Sequence, residues 1–260
     1  SEVATIESAF TAINRQEKAF GNLNKWSPAD IYMISDSGAV NEIAAEKTLK
    51  GLNSKMFELV KSNRVIGVSL KKITSNTGRI TEKNFPGDGK IISASYKGTT
   101  TKFDSMDGYI QWGNATTEKI QFRSFGGETS LTGWQGEIKG ASANQGKVSL
   151  GPINYILKRH GLQQLPTSIE SAKLAAANTD SHCRDIANMM SAYGLISDVN
   201  GTAELIKSKS NKYRYSKYLV MKMLLTMQNA PAAIQNEVVK DLYSYASSQA
   251  SFSAPYIKME

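Results

Sequence analysis

Four short runs, at 91–96, 109–112, 119–125 and 134–138, follow one another in quick succession, with glycines between them. Each partly alternates apolar with polar residues. Alternation at a period of two, bounded by turn residues, marks half-buried strands. The block therefore predicts an antiparallel sheet, and the rest of the chain has to be arranged around it.

Upstream, Val3, Ile6, Phe10, Ile13 and Phe20 recur at roughly three- and four-residue spacing, which predicts a helix over 2–20 closed by Gly21 and Asn22. Residues 31–34 read as a short strand, and 35–38 as a turn or helix cap. A second helix is expected over 40–60, with Ile43, Leu49, Leu52, Met56 and Val60 in its apolar stripe, closed by 62–64. A strand over 65–73 follows, then a polar, turn-rich segment over 75–89 broken around Pro86. Downstream of the sheet the reading is mostly helical, at 153–160, 169–177, 183–190, 218–227 and 232–246, with 252–260 as a short terminal strand or arm. This order predicts an α/β fold with a mixed or antiparallel central sheet and a C-terminal helical lobe. The expected domains are 1–160, α/β, and 161–260, mainly helical with a C-terminal arm. One fused fold is the alternative.

The 260 residues are 40% apolar and 21% charged, which is the composition of a globular chain. The formal charge of +8 favours a polyanionic partner, nucleic acid or an acidic surface. Cys183 is the one cysteine, so no intrachain disulfide can form, which fits a reducing compartment. His160 and His182 are the only histidines. A zinc site built on several cysteines and a metal site rich in imidazole are therefore excluded, and any metal is expected to be a hard cation on carboxylates. No apolar run approaches the length that spans a bilayer. Residues 1–4 lack the pattern of a secretory signal. The expected location is a reducing, cytoplasmic compartment, not a membrane.

Two stretches carry the chemistry. Residues 24–34 place Pro28, Ala29 and Asp30 ahead of an apolar run, and residues 66–72 end another apolar run in Lys71 and Lys72. Because strand side chains alternate faces, Gly67, Ser69 and Lys71 share one face. If the two strands pair, Asp30 lies opposite Ser69. Its carboxylate can then ligate magnesium, and Lys71 can orient water or offset phosphoryl charge. The bland alternative is a strand-entry aspartate and lysines that protect a sheet edge.

This arrangement resembles the core of the PD-(D/E)XK nuclease superfamily over roughly residues 1–75. Pro28-Ala29-Asp30 is similar to its proline–acid element, one residue looser, and Ser69-Leu70-Lys71 to its acid-x-lysine strand, with serine in place of the acid. The resemblance implies a restriction-endonuclease-like sheet, Mg2+ or Mn2+ as cofactor, Asp30, Ser69, Lys71 and Glu7 as catalytic residues, and Asp30 and Glu7 as metal ligands. Glu7 stands for a glutamate recruited from the preceding helix, with Glu46 a less favoured substitute. In overall style the chain resembles proteins of large tailed bacteriophages.

A second candidate lies in residues 134–140, where Glu137 and Lys139 form a true acid-x-lysine pair, with Asp107 upstream as a partner for Glu137. Its bland reading is a tight turn at Asp107 and a solvated Glu137–Lys139 pair. Between 205 and 222 there are six basic residues and no acid, interleaved with Tyr213, Tyr215 and Tyr218. Lys207, Lys209, Lys212, Arg214 and Lys217 are the expected phosphate contacts there, with Lys222 in the same stretch and Lys72 and Lys147 elsewhere. Trp26, Trp112, Trp134 and Cys183 read as packing residues.

Three functions follow as expectations. The first is a metal-dependent deoxyribonuclease. The second is a non-catalytic DNA-binding or DNA-end-capping virion protein. The third is a structural protein or an inhibitor of a host enzyme. DNA is the expected partner, with a virion or host protein as alternatives and a homo-oligomer compatible with each.

Overall fold

The structure, a computed structural model, describes residues 1–72, 77–85, 95–112, 119–126, 133–139, 146–167, 179–246 and 250–260. The chain divides into two compact units, Ser1–Ile92 with Ser247–Glu260, and Ser93–Ala246.

In the first unit, α1 (Glu2–Glu17) starts on the Ser1 cap and stops at Lys18, which takes the left-handed conformation. The predicted stop at Gly21 and Asn22 falls later: Asn22 instead caps the short α2 (Leu23–Trp26). After β1 (Ile31–Ile34), the single helix expected over 40–60 is two. Asp36 caps α3 (Ser37–Ala45), and Thr48 caps α4 (Leu49–Lys61) by accepting from the Gly51 amide. A side-chain oxygen placed where a new N-terminus can use it favours a break over a continuous helix. β2 (Val65–Leu70) follows, then β3 (Ile80–Lys83), a strand inside the segment read as turns. The terminal β9 (Tyr256–Met259) is a full member of the sheet, not an arm.

The order β1-β2-β9-β3 makes this a mixed sheet, with β2 and β9 parallel and the other pairs antiparallel. Helix α4 packs on β2 and on α1. The core between them holds Phe10, Trp26, Leu52 and Met56, all buried.

The second unit is built on the antiparallel sheet that the sequence predicts. β4 (Tyr96–Thr101), β5 (Gly108–Trp112), β6 (Lys119–Ser124), β7 (Trp134–Lys139) and β8 (Lys147–Ser149) run in sequence order. Alternation buries Ile110, Trp112, Ile120, Phe122, Trp134, Ile138 and Val148 on one face. The helices behind it are α5 (Leu150–Arg159), α8 (Asn211–Asn229) and α9 (Ala232–Ala246), while α6 (Thr179–Ala192) and α7 (Val199–Lys207) pack on each other. The helix expected over 169–177 and most of the run at 91–96 lie outside the described residues.

The boundary expected at 160 is therefore corrected. The sheet of the second unit needs α5, α8 and α9 to cover its apolar face, so strands and helices on both sides of 160 form one body. The last residues return to the first unit because β9 supplies a strand between β2 and β3. The fold is α/β, with one mixed and one antiparallel sheet. No helix among the described residues is long and apolar enough to cross a membrane.

Candidate functional site

The first candidate site lies where β1 begins and β2 ends. Trp26 anchors the approach from the core: its ring stacks on Phe10 with centroids 4.5 Å apart, and its indole N–H donates to Asn53 Oδ1 at 2.7 Å. Residues 27–30 then lead into β1. Ile31 pairs with Val68, so Asp30 lies opposite Ser69, as alternation predicts. The Asp30 amide donates to the Val68 carbonyl at 2.8 Å. Asp30 Oδ2 accepts from the Leu70 amide at 2.6 Å and from Ser69 Oγ at 3.3 Å. The carboxylate thus caps the last amide of β2 while the residue itself stays exposed.

Ser69 is 1% exposed, so its hydroxyl holds the aspartate from within the fold. Lys71 and Lys72 are exposed just beyond β2, and the Lys71 amide is fixed to the Met259 carbonyl at 2.8 Å. No ion pair joins Lys71 to Asp30 among the described residues. The lysine is held next to the site by its backbone, with its ammonium group in solvent.

One residue to which the sequence reading gave no role completes this face. Tyr32 sits two positions after Asp30, and hence on the same side of β1. It pairs with Gly67, where an added Cβ would stand 3.3 Å from its ring and 3.1 Å from Ala29 Cβ. The Tyr32 hydroxyl lies 2.8 Å from the buried Ser27 Oγ. Burial pushes the Tyr32 phenol up; the bond to Ser27 opposes that, and the charge of Glu7 reinforces it. Glu7 on α1 is therefore close enough to act on this face electrostatically. It also lines an open groove along α1 with Ser8, Thr11 and Arg15. The signal available in the sequence was the i, i+2 relation of Asp30 to Tyr32. Glu46 lies instead against Gly51 in the first turn of α4, where a carboxylate suits the helix N-terminus.

Among the described residues no three His, Cys, Asp or Glu side chains come together. The chemistry of the donors still fits a hard, well-hydrated cation. Magnesium keeps several waters and takes one or two carboxylates; Asp30 and Glu7 are oxygen donors of that kind, but among the described residues no contact brings the two together.

The second candidate does not assemble as expected. Asp107 and Glu137 do not face each other: Gln121, on β6, lies directly opposite both Tyr109 of β5 and Glu137 of β7. Two strand spacings, about 10 Å, separate β5 from β7. Each acid is already engaged. Asp107 Oδ2 accepts from Gln121 Nε2 at 2.7 Å and from the Tyr109 hydroxyl at 3.2 Å, with Arg123 at 3.4 Å from Oδ1. Glu137 meets Lys139 at 2.8 Å and Lys147 at 3.1 Å. Burial pushes the Glu137 carboxyl up, but those two ammonium groups outweigh it and hold it below its usual range. Glu137 thus pairs with Lys139 on its own strand and with Lys147 across on β8, and forms no carboxylate pair with Asp107.

No protein-family model, curated sequence or solved structure matches the chain.

The expected phosphate path over 205–222 is also corrected. Arg214 is buried and donates to the Lys207 carbonyl at 2.9 Å, to the Lys209 carbonyl at 2.6 Å and to Asn211, so it closes the turn before α8. Lys217 is fully buried and serves Thr101 Oγ1, the Lys102 carbonyl and the Ser105 carbonyl. Lys207 pairs with Asp180 and Glu204, and Lys209 with Asp104. Tyr213 and Tyr215 are buried, and the Tyr213 hydroxyl donates to the Phe103 carbonyl. Lys212 alone of the five named contacts remains half-exposed without a charged partner among the described residues. Within α8, Arg214 and Lys217 face inward, where their long stems pack while their heads find oxygen.

Proposed function

We propose that this chain is a metal-dependent deoxyribonuclease of PD-(D/E)XK type, with the mixed sheet of the first unit as its restriction-endonuclease-like core. One observation carries the reading: Asp30 stands opposite Ser69 across β1 and β2, with Lys71 two residues on, just past the end of β2. The charge of +8 adds to it, since a polyanionic substrate is drawn to such a chain.

In this reading Asp30 and Glu7 hold Mg2+ or Mn2+. Bound there, the metal supplies Lewis acidity and a more acidic water. Ser69 and the Leu70 amide fix one oxygen of Asp30 and leave the other to face outward. Lys71 offsets the charge on the phosphoryl group, and Lys72 lies beside it on the same exposed end. Tyr32, braced by Ser27, walls the face next to Glu7.

Purified protein with magnesium is expected to cut DNA, and Asp30→Ala to reduce cutting to background while the thermal melt shows a folded chain. Cleavage that survives this change unaltered rejects the assignment.

A second reading has its own support. A serine stands where the superfamily has an acid, and Asp30 already spends one oxygen on the backbone. Both features suit a DNA-binding or DNA-end-capping virion protein that has lost catalysis. It is distinguished by binding that weakens steeply with salt, with no cleavage in magnesium or manganese.

A further inference from the structure

The mixed sheet has a second face, opposite Asp30, Tyr32 and Ser69, and it is apolar across all its strands. Leu70, Met259 and Ile80 form one row over β2, β9 and β3. Ile31, Val68 and Ile257 form the next, over β1, β2 and β9, with Glu82 at its β3 end. Met33 and Ile66 extend it along β1 and β2.

A sheet face that meets water is normally polar at alternate positions. Here Ile31 is 47% exposed, Met33 59%, Leu70 47%, Ile80 67% and Met259 37%. These are five of the eight exposed large hydrophobics that the described residues hold. Scattered exposed apolar residues need no explanation, but a contiguous set does. The five side chains together present on the order of 500 Å2 of surface, the size of the largest patch on a typical monomer.

We infer that this face is a homodimer interface, in which two copies of the chain stack the outer faces of their mixed sheets. The area is the first reason: two such patches remove about 1,000 Å2 in total, the threshold for a specific contact. Shape is the second. A pleated apolar surface with rows at strand spacing is matched by another of the same kind, packed about 10 Å away. Charge is the third. The single charge in the rows, Glu82, lies on the edge strand β3, where it stays in the solvated rim, and the centre carries no group that would attract a polyanion. A two-fold association covers this surface on both copies in one event.

This inference is independent of the nuclease reading, because the faces differ. Asp30, Tyr32 and Ser69 lie on the other face, and Asp30, the exposed one of the three, stays accessible in the dimer.

Sedimentation equilibrium of the full chain from about 1 to 100 μM tests it. The expected species has twice the 28.4 kDa chain mass. Met33→Lys and Ile80→Lys each raise the dissociation constant about 100-fold by placing an ammonium group in the contact. A wild-type chain that is monomeric throughout, or folded variants that dimerise as the wild type does, overturn the inference. Should a variant lose its fold, peroxide oxidation of the wild type decides: Met33 and Met259 are expected to oxidise about tenfold more slowly at the high concentration than at the low one. Equal rates would reject the interface.

Discussion

Trp26→Ala is expected to lower the stability of the first unit by about 4 kcal/mol, measured by urea unfolding. The indole is fully buried, stacked on Phe10, which in turn meets Phe20 edge-on with centroids 5.8 Å apart. Phe20 reaches Phe252 at 5.2 Å, so one aromatic chain links α1, the loop after it and the segment before β9. Truncation opens a cavity at the centre of that chain. It also strands Asn53, which accepts from the indole and donates to the Phe252 carbonyl at 2.6 Å. Domain stabilities are about 5–15 kcal/mol, so this one change removes a large share. Trp26→Phe keeps most of the stack and loses the hydrogen bond, and is expected to cost about 1–2 kcal/mol. A loss below 1 kcal/mol for alanine would show that the 26–30 segment is not anchored from the core. It would then remove the basis for a rigid Asp30.

That anchoring explains why the stretch 24–34 was legible. Trp26 is a packing residue, as its apolar neighbours implied, and it sets the phase for everything after it. Once β1 and β2 pair, the period of two fixes which residues share a face, and Asp30 opposite Ser69 follows from counting alone. The antiparallel sheet was legible for the same reason: alternation and glycine punctuation are local signals. The break between α3 and α4 was hidden because apolar spacing continues through it, and the Thr48 cap that decides it is one hydroxyl. β3 was hidden among turn residues, since only pairing with β9 makes Ile80–Lys83 a strand.

The site was less legible than the fold. Tyr32, Ser27 and Gly67 matter because three elements bring them together, and no spacing rule links Ser27 to Gly67. The second acid-x-lysine pair misled because spacing gives a shared face but says nothing about partners. Glu137 has two lysines on it, and β6 separates its strand from the one beside Asp107. The basic run misled more deeply. A lysine in a chain of positive charge reads as a surface residue, yet Lys217 is fully buried, and only the fold supplies the oxygens that make this tolerable. The domain boundary failed because sequence order cannot reveal that the last strand returns to the first sheet.

Lys217→Met is expected to destabilise the second unit by about 2 kcal/mol near neutral pH, and by more as the pH rises. The ammonium group donates to Thr101 Oγ1 at 2.7 Å, the Lys102 carbonyl at 2.6 Å and the Ser105 carbonyl at 2.9 Å, tying α8 to the turn between β4 and β5. Removing the donor leaves the acceptors of three part-buried hydrogen bonds, each costing about 1–3 kcal/mol if left unsatisfied. Against this stands the burial of the charge, which pushes the Lys217 ammonium down to about 8 despite the charges of Asp107 and Asp104. An ordinary lysine titrates near 10.4, so the charged form in the folded chain is disfavoured by about 3 kcal/mol, and methionine escapes that cost. The acceptors win, by the smaller net figure given above. The pH dependence has a definite sign. Between pH 8 and about 10.4 the unfolded chain holds a proton on Lys217 that the folded chain has released, so stability from this group rises with pH. The methionine variant lacks that rise, and the gap between the two proteins should widen by about 1 kcal/mol per pH unit over this window. Urea unfolding of both proteins at pH 7, 8 and 9 measures it. A gap that narrows with pH would mean that the three oxygens hold the lysine charged beyond its ordinary range, and that their attraction exceeds the cost of burying it.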